Sequence, residues 1–154
     1  MFRHLIVGGC SLALFGLICG APAQGGVAKK HHHPHMHHAL HELKEARHEL
    51  KGAGHDFGGH REKALLAIED AIRQIEVALA SAGDPVKKHK HNPDHYKKYT
   101  HHPHLHHAIH ELKEARVELK EASHNFGGHR EAALRDVNVA IVQLELALKH
   151  AKRV

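Results

Sequence analysis

Two copies of one helical segment dominate the sequence: PHMHHALHELKEARHELKGA at residues 34–53 and PHLHHAIHELKEARVELKEA at residues 103–122. Apolar residues recur in both at intervals of three and four, which places them on one stripe of an α-helix. Proline suits the first helical turn, because its missing N–H would have no partner there. Both segments therefore predict amphipathic helices. The apolar positions are Met36, Ala39, Leu40, Leu43, Ala46, Leu50 and Ala53, and then Leu105, Ala108, Ile109, Leu112, Ala115, Leu119 and Ala122.

These segments begin two copies of a longer repeat. Residues 32–79 align without gaps to residues 101–148, at an offset of 69 and with about two-thirds of the positions identical. In each copy Phe-Gly-Gly, at 57–59 and 126–128, predicts a turn after the first helix. A second apolar stripe follows the turn, so each copy is predicted to be a helical hairpin. Its positions are Leu65, Ile68, Ile72, Ile75 and Leu79, matched by Leu134, Val137, Ile141, Leu144 and Leu148.

A single hairpin would leave the outer edge of its apolar stripe in water. The two hairpins, 34–82 and 101–154, are therefore expected to close on each other as an all-α, antiparallel four-helix bundle with a pseudo-two-fold axis. The alternative is that each hairpin pairs with another chain, which leaves monomer and homodimer open. Small residues every seven positions let antiparallel helices approach closely. These are Ala39, Ala46 and Ala53 on the first helix and Ala64, Ala71 and Ala78 on the second.

Residues 1–23 have the pattern of a signal peptide. An uncharged apolar run extends from Leu5 to Cys19, and Ala21-Pro22-Ala23 supplies a small-residue cleavage site. The mature chain is expected to begin at Gln24, to be periplasmic or secreted, and to have no membrane segment; a retained anchor is the alternative. Both cysteines lie in the predicted leader, which excludes disulfides, cysteine zinc sites and Fe–S clusters from the mature chain.

Two polar segments outside the hairpins, 24–33 and 83–100, carry further histidines and are expected to be flexible. Their lysines favour an alternative function, a module that binds a polyanion or an anionic cell surface. Specific nucleic-acid recognition is not expected. The lysines are Lys29, Lys30, Lys87, Lys88, Lys90, Lys97 and Lys98.

Histidine is the compositional outlier, with 23 residues in a chain of 154. Lys and Arg number 22 against 17 Asp and Glu, so the formal net charge is +5 with histidine neutral. Such a histidine content indicates metal or proton chemistry. The sequence shows no Ser/His/Asp set, phosphate loop or paired buried carboxylates, so an enzyme is not expected.

Histidines three and four residues apart on one helix can share a metal ion. His37 and His41 lie one turn apart with Glu45 one turn further on, and the second copy repeats this arrangement. Taking Met36 as heptad position a, these histidines and Glu45 fall outside the apolar stripe and are predicted to face water. That position argues against a haem or di-iron centre inside the bundle. The equivalent residues of the second copy are His106, His110 and Glu114, and the alternate helical ligands are His35, His38, His104 and His107.

Four more histidines flank the Phe-Gly-Gly turns, where they either form a second metal site or cap and pack the turn. Imidazole with some carboxylate suits Cu(II), Ni(II) and Zn(II), of which Cu(II) is favoured by intrinsic affinity. The turn histidines are His55, His60, His124 and His129.

Three features occur together in this chain: the motif LHHAIHELKEAR at residues 105–116, the internal duplication, and the absence of cysteine from the predicted mature chain. In these features the chain resembles the SmbP-like family of small periplasmic histidine-rich metal-binding proteins. The resemblance lies in the general character of the mature chain and not in aligned residues. It implies a four-helix bundle that binds copper and other divalent cations. HELKEAR followed by HxFGGHRE is also similar to exported bacterial histidine-rich helical proteins, which implies no function. The expected function is sequestration or buffering of divalent transition metals.

Overall fold

The computed structural model describes residues 32–84, 86 and 101–153. This part of the chain folds into four α-helices: α1 (Pro34–Gly52), α2 (His60–Ser81), α3 (Pro103–Glu121) and α4 (His129–Ala151). A short 3-10 turn, Phe126–Gly128, precedes α4. The predicted all-α fold is confirmed. None of the helices in these ranges is long and apolar enough to cross a bilayer.

Several sequence predictions fall outside the described residues. They are the signal peptide at 1–23, the flexible segment 24–33 except for its last two residues, and the linker 83–100 except for residues 83, 84 and 86.

Each helix of the bundle packs on two others, so that α1 and α4 lie diagonally opposite, as do α2 and α3. The most extensive interfaces join equivalent helices of the two repeats, α1 with α3 and α2 with α4. Matched contacts at opposite ends show that α1 and α3 are antiparallel: His35 contacts Glu118, and His104 contacts Glu49. An approximate two-fold axis relates the two repeats, because each of these contacts is the 69-residue equivalent of the other.

The apolar stripes form the core that the spacing predicts. Every predicted stripe residue of α1 and α3 is buried, and Leu43, Ala46 and Leu112 have no exposed surface. On the second helices the match is less complete, because Leu65, Leu134 and Leu148 are only partly buried against the core. Burial of these stripes supplies the main driving force for folding.

The buried arc of α1 is wider than the apolar stripe, and this corrects two predictions. Glu45 was expected to face water but is 7% exposed, and the side chain of His37 is only 12% exposed. The reason is that α1 packs against both α2 and α3. The apolar stripe is wide enough for one of these interfaces, so residues beside the stripe are buried as well. The same wide arc buries Glu49 on α1 and His107 on α3.

The Phe-Gly-Gly segments form the turns that their sequence predicts. Phe57, Gly58 and Gly59 all have positive φ angles, of 54°, 68° and 80°, a left-handed run that glycine tolerates best. The second turn repeats this conformation. The Arg61 guanidinium donates to the Leu50 carbonyl, which gives the end of α1 a hydrogen-bond partner.

Candidate metal centre

Two groups of metal-ligating side chains occur among the described residues, each with its ligand atoms within 4.8 Å of one another. The aspartate cluster consists of His32, His37 and Asp84. The glutamate cluster consists of His35, Glu118 and Glu121. Both include a histidine from the first turn of α1, so both lie at the end of the bundle where α1 begins.

In the aspartate cluster, one carboxylate oxygen is the common point of contact. Asp84 Oδ2 lies 3.1 Å from His37 Nε2 and 3.6 Å from His32 Nδ1. The backbone N–H of His33 donates to the same oxygen at 2.9 Å. The Asp84 side chain is 6% exposed and that of His32 is 56% exposed. The cluster is therefore buried on the carboxylate side and open on the His32 side.

The end of α2 determines where Asp84 points. Gly83 has a φ angle of 68°, its N–H donates to the Ala80 carbonyl, and the Asp84 N–H donates to the Leu79 carbonyl. This pair of bonds is a Schellman motif, which reverses the chain direction after a helix. The reversal returns Asp84 to the start of α1, where the imidazoles lie.

Asp84 is an ionised carboxylate in this setting. Its burial works to raise the pKa, but the His33 amide and the contacts with His37 and His32 outweigh burial, so the pKa of Asp84 lies below its usual value. A charged carboxylate beside two imidazoles is a donor set that suits Zn(II), Cu(II) and Ni(II).

The glutamate cluster lies across the α1–α3 interface. His35 Nδ1 donates to Glu118 Oε2 at 2.8 Å and lies 3.7 Å from Glu121 Oε2. His38, one turn along α1, places its Nδ1 3.6 Å from the same oxygen of Glu118. The side chains of His35 and Glu121 are 42% and 57% exposed, so this cluster is more open to water than the aspartate cluster.

The second repeat lacks an equivalent of the aspartate cluster. The 69-residue equivalent of Asp84 is Arg153, so a cation replaces the carboxylate. The pKa of His106, the equivalent of His37, is lowered first by burial and then by the positive charges of His102, Lys152 and His107. This end of the bundle is cationic, which disfavours a metal ion.

The glutamate cluster is also incomplete in its equivalent position. His104 Nδ1 donates to Glu49 Oε2 at 2.9 Å, which repeats the His35–Glu118 bond. Gly52, however, stands where the other repeat has Glu121. A Cβ at Gly52 would lie 3.3 Å from His104 Cε1, so the glycine makes room for that ring. Within residues 32–84, 86 and 101–153, both clusters therefore lie at one end of the bundle.

Each cluster contains one histidine from the helical chelate pairs that the spacing predicts. His37 belongs to the aspartate cluster and His35 to the glutamate cluster. Glu45 lies on the buried face of α1, whereas His41 is exposed. The pairing of His37 with His41 stays a prediction. Apart from His38, which contacts Glu118 beside the glutamate cluster, the predicted helical ligands that belong to neither cluster are His41, Glu45, His104, His106, His107, His110 and Glu114.

The histidines that flank the turns make packing contacts. His60 Nδ1 donates to Gln143 Oε1 at 2.9 Å, and His129 Nδ1 donates to Gln74 Oε1 at 2.7 Å, so both link α2 to α4. The other two turn histidines, His55 and His124, each lie edge-on to the turn phenylalanine, with ring centroids 5.9 Å apart. Of the two roles expected for these histidines, a metal site or capping and packing of the turn, the contacts support packing.

Four cluster residues were not predicted: His32, Asp84, Glu118 and Glu121. The polar composition of residues 83–100 predicts a flexible linker that includes Asp84, although Gly83 before it is a recognisable helix-ending signal. The two glutamates lie on α3, more than 80 residues from His35 in sequence, and only the α1–α3 packing brings them to it.

Comparison of the chain with protein-family models, with curated proteins and with solved structures found no match. The lysines behind the alternative of polyanion binding lie outside the described residues. Function is therefore inferred from the two clusters.

Proposed function

We propose that the protein binds divalent transition-metal ions reversibly and buffers or sequesters them. The observation that carries this proposal is the aspartate cluster, in which two imidazoles and one ionised, buried carboxylate converge within 4.8 Å. Histidine and carboxylate donors without thiols suit Cu(II), Ni(II) and Zn(II), and Cu(II) has the highest intrinsic affinity for such a site.

The openness of the aspartate cluster favours exchange over permanent retention. Three protein ligands leave at least one coordination position for water or another donor. Exposure of His32 gives an incoming ion or chelator a route to the site. A buffer needs such access, because it must release what it binds.

The predicted leader supports a role outside the cytoplasm. Export would deliver a cysteine-free chain, so metal binding there would rely on imidazole and carboxylate and would be insensitive to thiol oxidation. We therefore place the function in the periplasm or in the secreted fraction, as a binding protein without catalytic activity.

Calorimetric titration with Zn(II) near neutral pH tests the proposal. Asp84→Asn retains an oxygen to accept the His33 N–H but removes the ligating charge, so Zn(II) affinity at this site should fall at least about tenfold. Asp136→Asn is the matched control, since Asp136 lies on α4 outside both clusters. Circular dichroism should show equal helicity for all three proteins. Parent-like Zn(II) binding by the folded Asp84→Asn variant would contradict the proposed site.

A further inference from the structure

We infer that the glutamate cluster, together with His38, is a second metal site with four donors from two helices and a preference for Zn(II)-like ions. The inference rests on the proposed metal-binding function, but it concerns different residues and a different interface. Whereas the aspartate cluster joins the start of α1 to the end of α2, the glutamate cluster joins α1 to α3.

The donors come as two matched pairs. His35 and His38 are three residues apart on α1, and Glu118 and Glu121 are three residues apart on α3. Residues at this spacing share one helical face, so each helix directs two donors to the other. Glu118 Oε2 contacts both imidazoles, at 2.8 and 3.6 Å from the Nδ1 atoms of His35 and His38.

The present contacts show how an ion would enter. The hydrogen bond from His35 Nδ1 to Glu118 Oε2 places a proton between a nitrogen and a carboxylate oxygen. A metal ion that binds both atoms takes the place of that proton, and the neutral His35 ring then carries its single proton on Nε2 after exchange with solvent. Glu121 Oε2, now 3.7 Å from His35 Nδ1, needs only a side-chain movement to complete the donor set, and its exposure allows one.

The donor set identifies the class of ion. Two imidazoles and two carboxylates match the four-coordinate, tetrahedral preference of Zn(II), and the carboxylates make the site harder than the aspartate cluster. Two negative charges also balance the ion, so binding leaves no net charge in the interface. Because the donors are 24% to 65% exposed, we expect moderate affinity and rapid exchange.

The repeat supplies a built-in comparison. His104 and Glu49 reproduce the His35–Glu118 bond, but Gly52 stands in place of the second glutamate. The position equivalent to the glutamate cluster therefore keeps a histidine–glutamate pair, and His107 in place of His38, but lacks the second glutamate. If the second glutamate were dispensable, both positions would bind metal; if it is required, only the glutamate cluster would.

Calorimetric titration of four proteins with Zn(II) separates these cases. The variants are Glu121→Gln, Asp84→Asn and the control Glu49→Gln, each compared with the parent. Glu121 is exposed and outside the His35–Glu118 bond, so its substitution should leave the fold intact. We expect the parent to show two classes of site, Glu121→Gln to lose the glutamate-cluster class, and Glu49→Gln to keep both.

Thermal unfolding gives an independent readout of the same site. An ion shared by α1 and α3 binds only the folded bundle, so excess Zn(II) should raise the melting temperature of Asp84→Asn. Adding Glu121→Gln to that variant should abolish the rise. An unchanged isotherm for Glu121→Gln, or an equal loss of sites in Glu49→Gln, would overturn the inference while leaving the aspartate cluster untouched. Loss of the aspartate-cluster class of sites in Asp84→Asn supports the proposed function separately, and its retention contradicts it.

Discussion

Glu42 and Glu111 meet at the centre of the α1–α3 interface, where each is the repeat equivalent of the other, and their carboxyl groups share a hydrogen bond. Burial raises the pKa of Glu42 to about 8, and the hydrogen bond and negative charge of Glu111 add to this effect. The negative charge of Glu114 also raises the pKa of Glu42, whereas the charge of His41 lowers it. The pair therefore holds a proton at neutral pH. Such a buried carboxyl pair was not expected from the sequence.

Stability should fall as pH rises through the titration of this pair. The folded-state pKa of about 8 lies above the reference value of 4.5, so the stabilising contribution is complete below the reference value and is lost as pH rises towards 8. Glu42→Gln keeps a hydrogen-bonding side chain without an ionisable group, and should flatten this dependence.

Chemical denaturation of metal-free protein at several pH values measures the effect. Glu145→Gln on α4 is the control, because Glu145 is exposed and should leave the parent pH profile unchanged. A Glu42→Gln variant that loses stability across this pH window as the parent does would show that the carboxyl pair is not the titrating group.

Core packing predicts a large effect at Leu112. This side chain has no exposed surface, so Leu112→Ala should reduce the free energy of unfolding by roughly 2–5 kcal/mol. Val139→Ala is the control, since Val139 is 50% exposed and should change stability little. Urea denaturation in excess chelator tests both variants. A neutral Leu112→Ala would contradict the packing of α3, and metal stoichiometry should be the same in parent and folded variant.

The core was predictable because it depends on local periodicity. Spacing alone places Leu43 and Leu112 on buried stripes, and Pro34 and Phe57 mark where helices begin and turns occur. Register between the repeats was not predictable, because any antiparallel offset of α1 against α3 would bury the same stripes. That offset decides that Glu42 meets Glu111.

The candidate site was predictable only in kind. Histidine content indicates metal binding, and the first turn of α1 does supply imidazoles to both clusters. The carboxylate partners come from elsewhere in the chain, and their positions depend on tertiary contacts. Asp84 reaches His37 through the Schellman motif at the end of α2, and Glu118 reaches His35 through the α1–α3 register.

Protons should compete with metal for the imidazoles. The pKa of Asp84 is lowered, so its carboxylate stays ionised in mild acid and the histidines control the pH dependence. Zn(II) affinity should therefore fall steeply between about pH 7 and pH 5, around the reference histidine pKa near 6.5. Competition titrations against a chromogenic chelator at each pH measure this. Affinity that is constant over this range would exclude imidazole ligation.

Paired alanine variants distinguish the clusters from simple one-turn chelates. His32→Ala with His37→Ala removes both imidazoles of the aspartate cluster, and should abolish its Cu(II) signal in electron paramagnetic resonance. His106→Ala with His110→Ala removes a one-turn pair that belongs to neither cluster, and should leave the tightest class of sites intact. The reverse pattern would assign tight binding to the helical pairs.

Anomalous diffraction from crystals grown with Zn(II) is the most direct test of metal binding at one end of the bundle. We predict density peaks within about 2.0–2.2 Å of His and carboxylate ligand atoms in the aspartate and glutamate clusters. No peak is predicted at the equivalent positions beside Arg153 and Gly52. Peaks at the His106–His110 pair with none in either cluster, or no protein-bound zinc at all, would contradict the account.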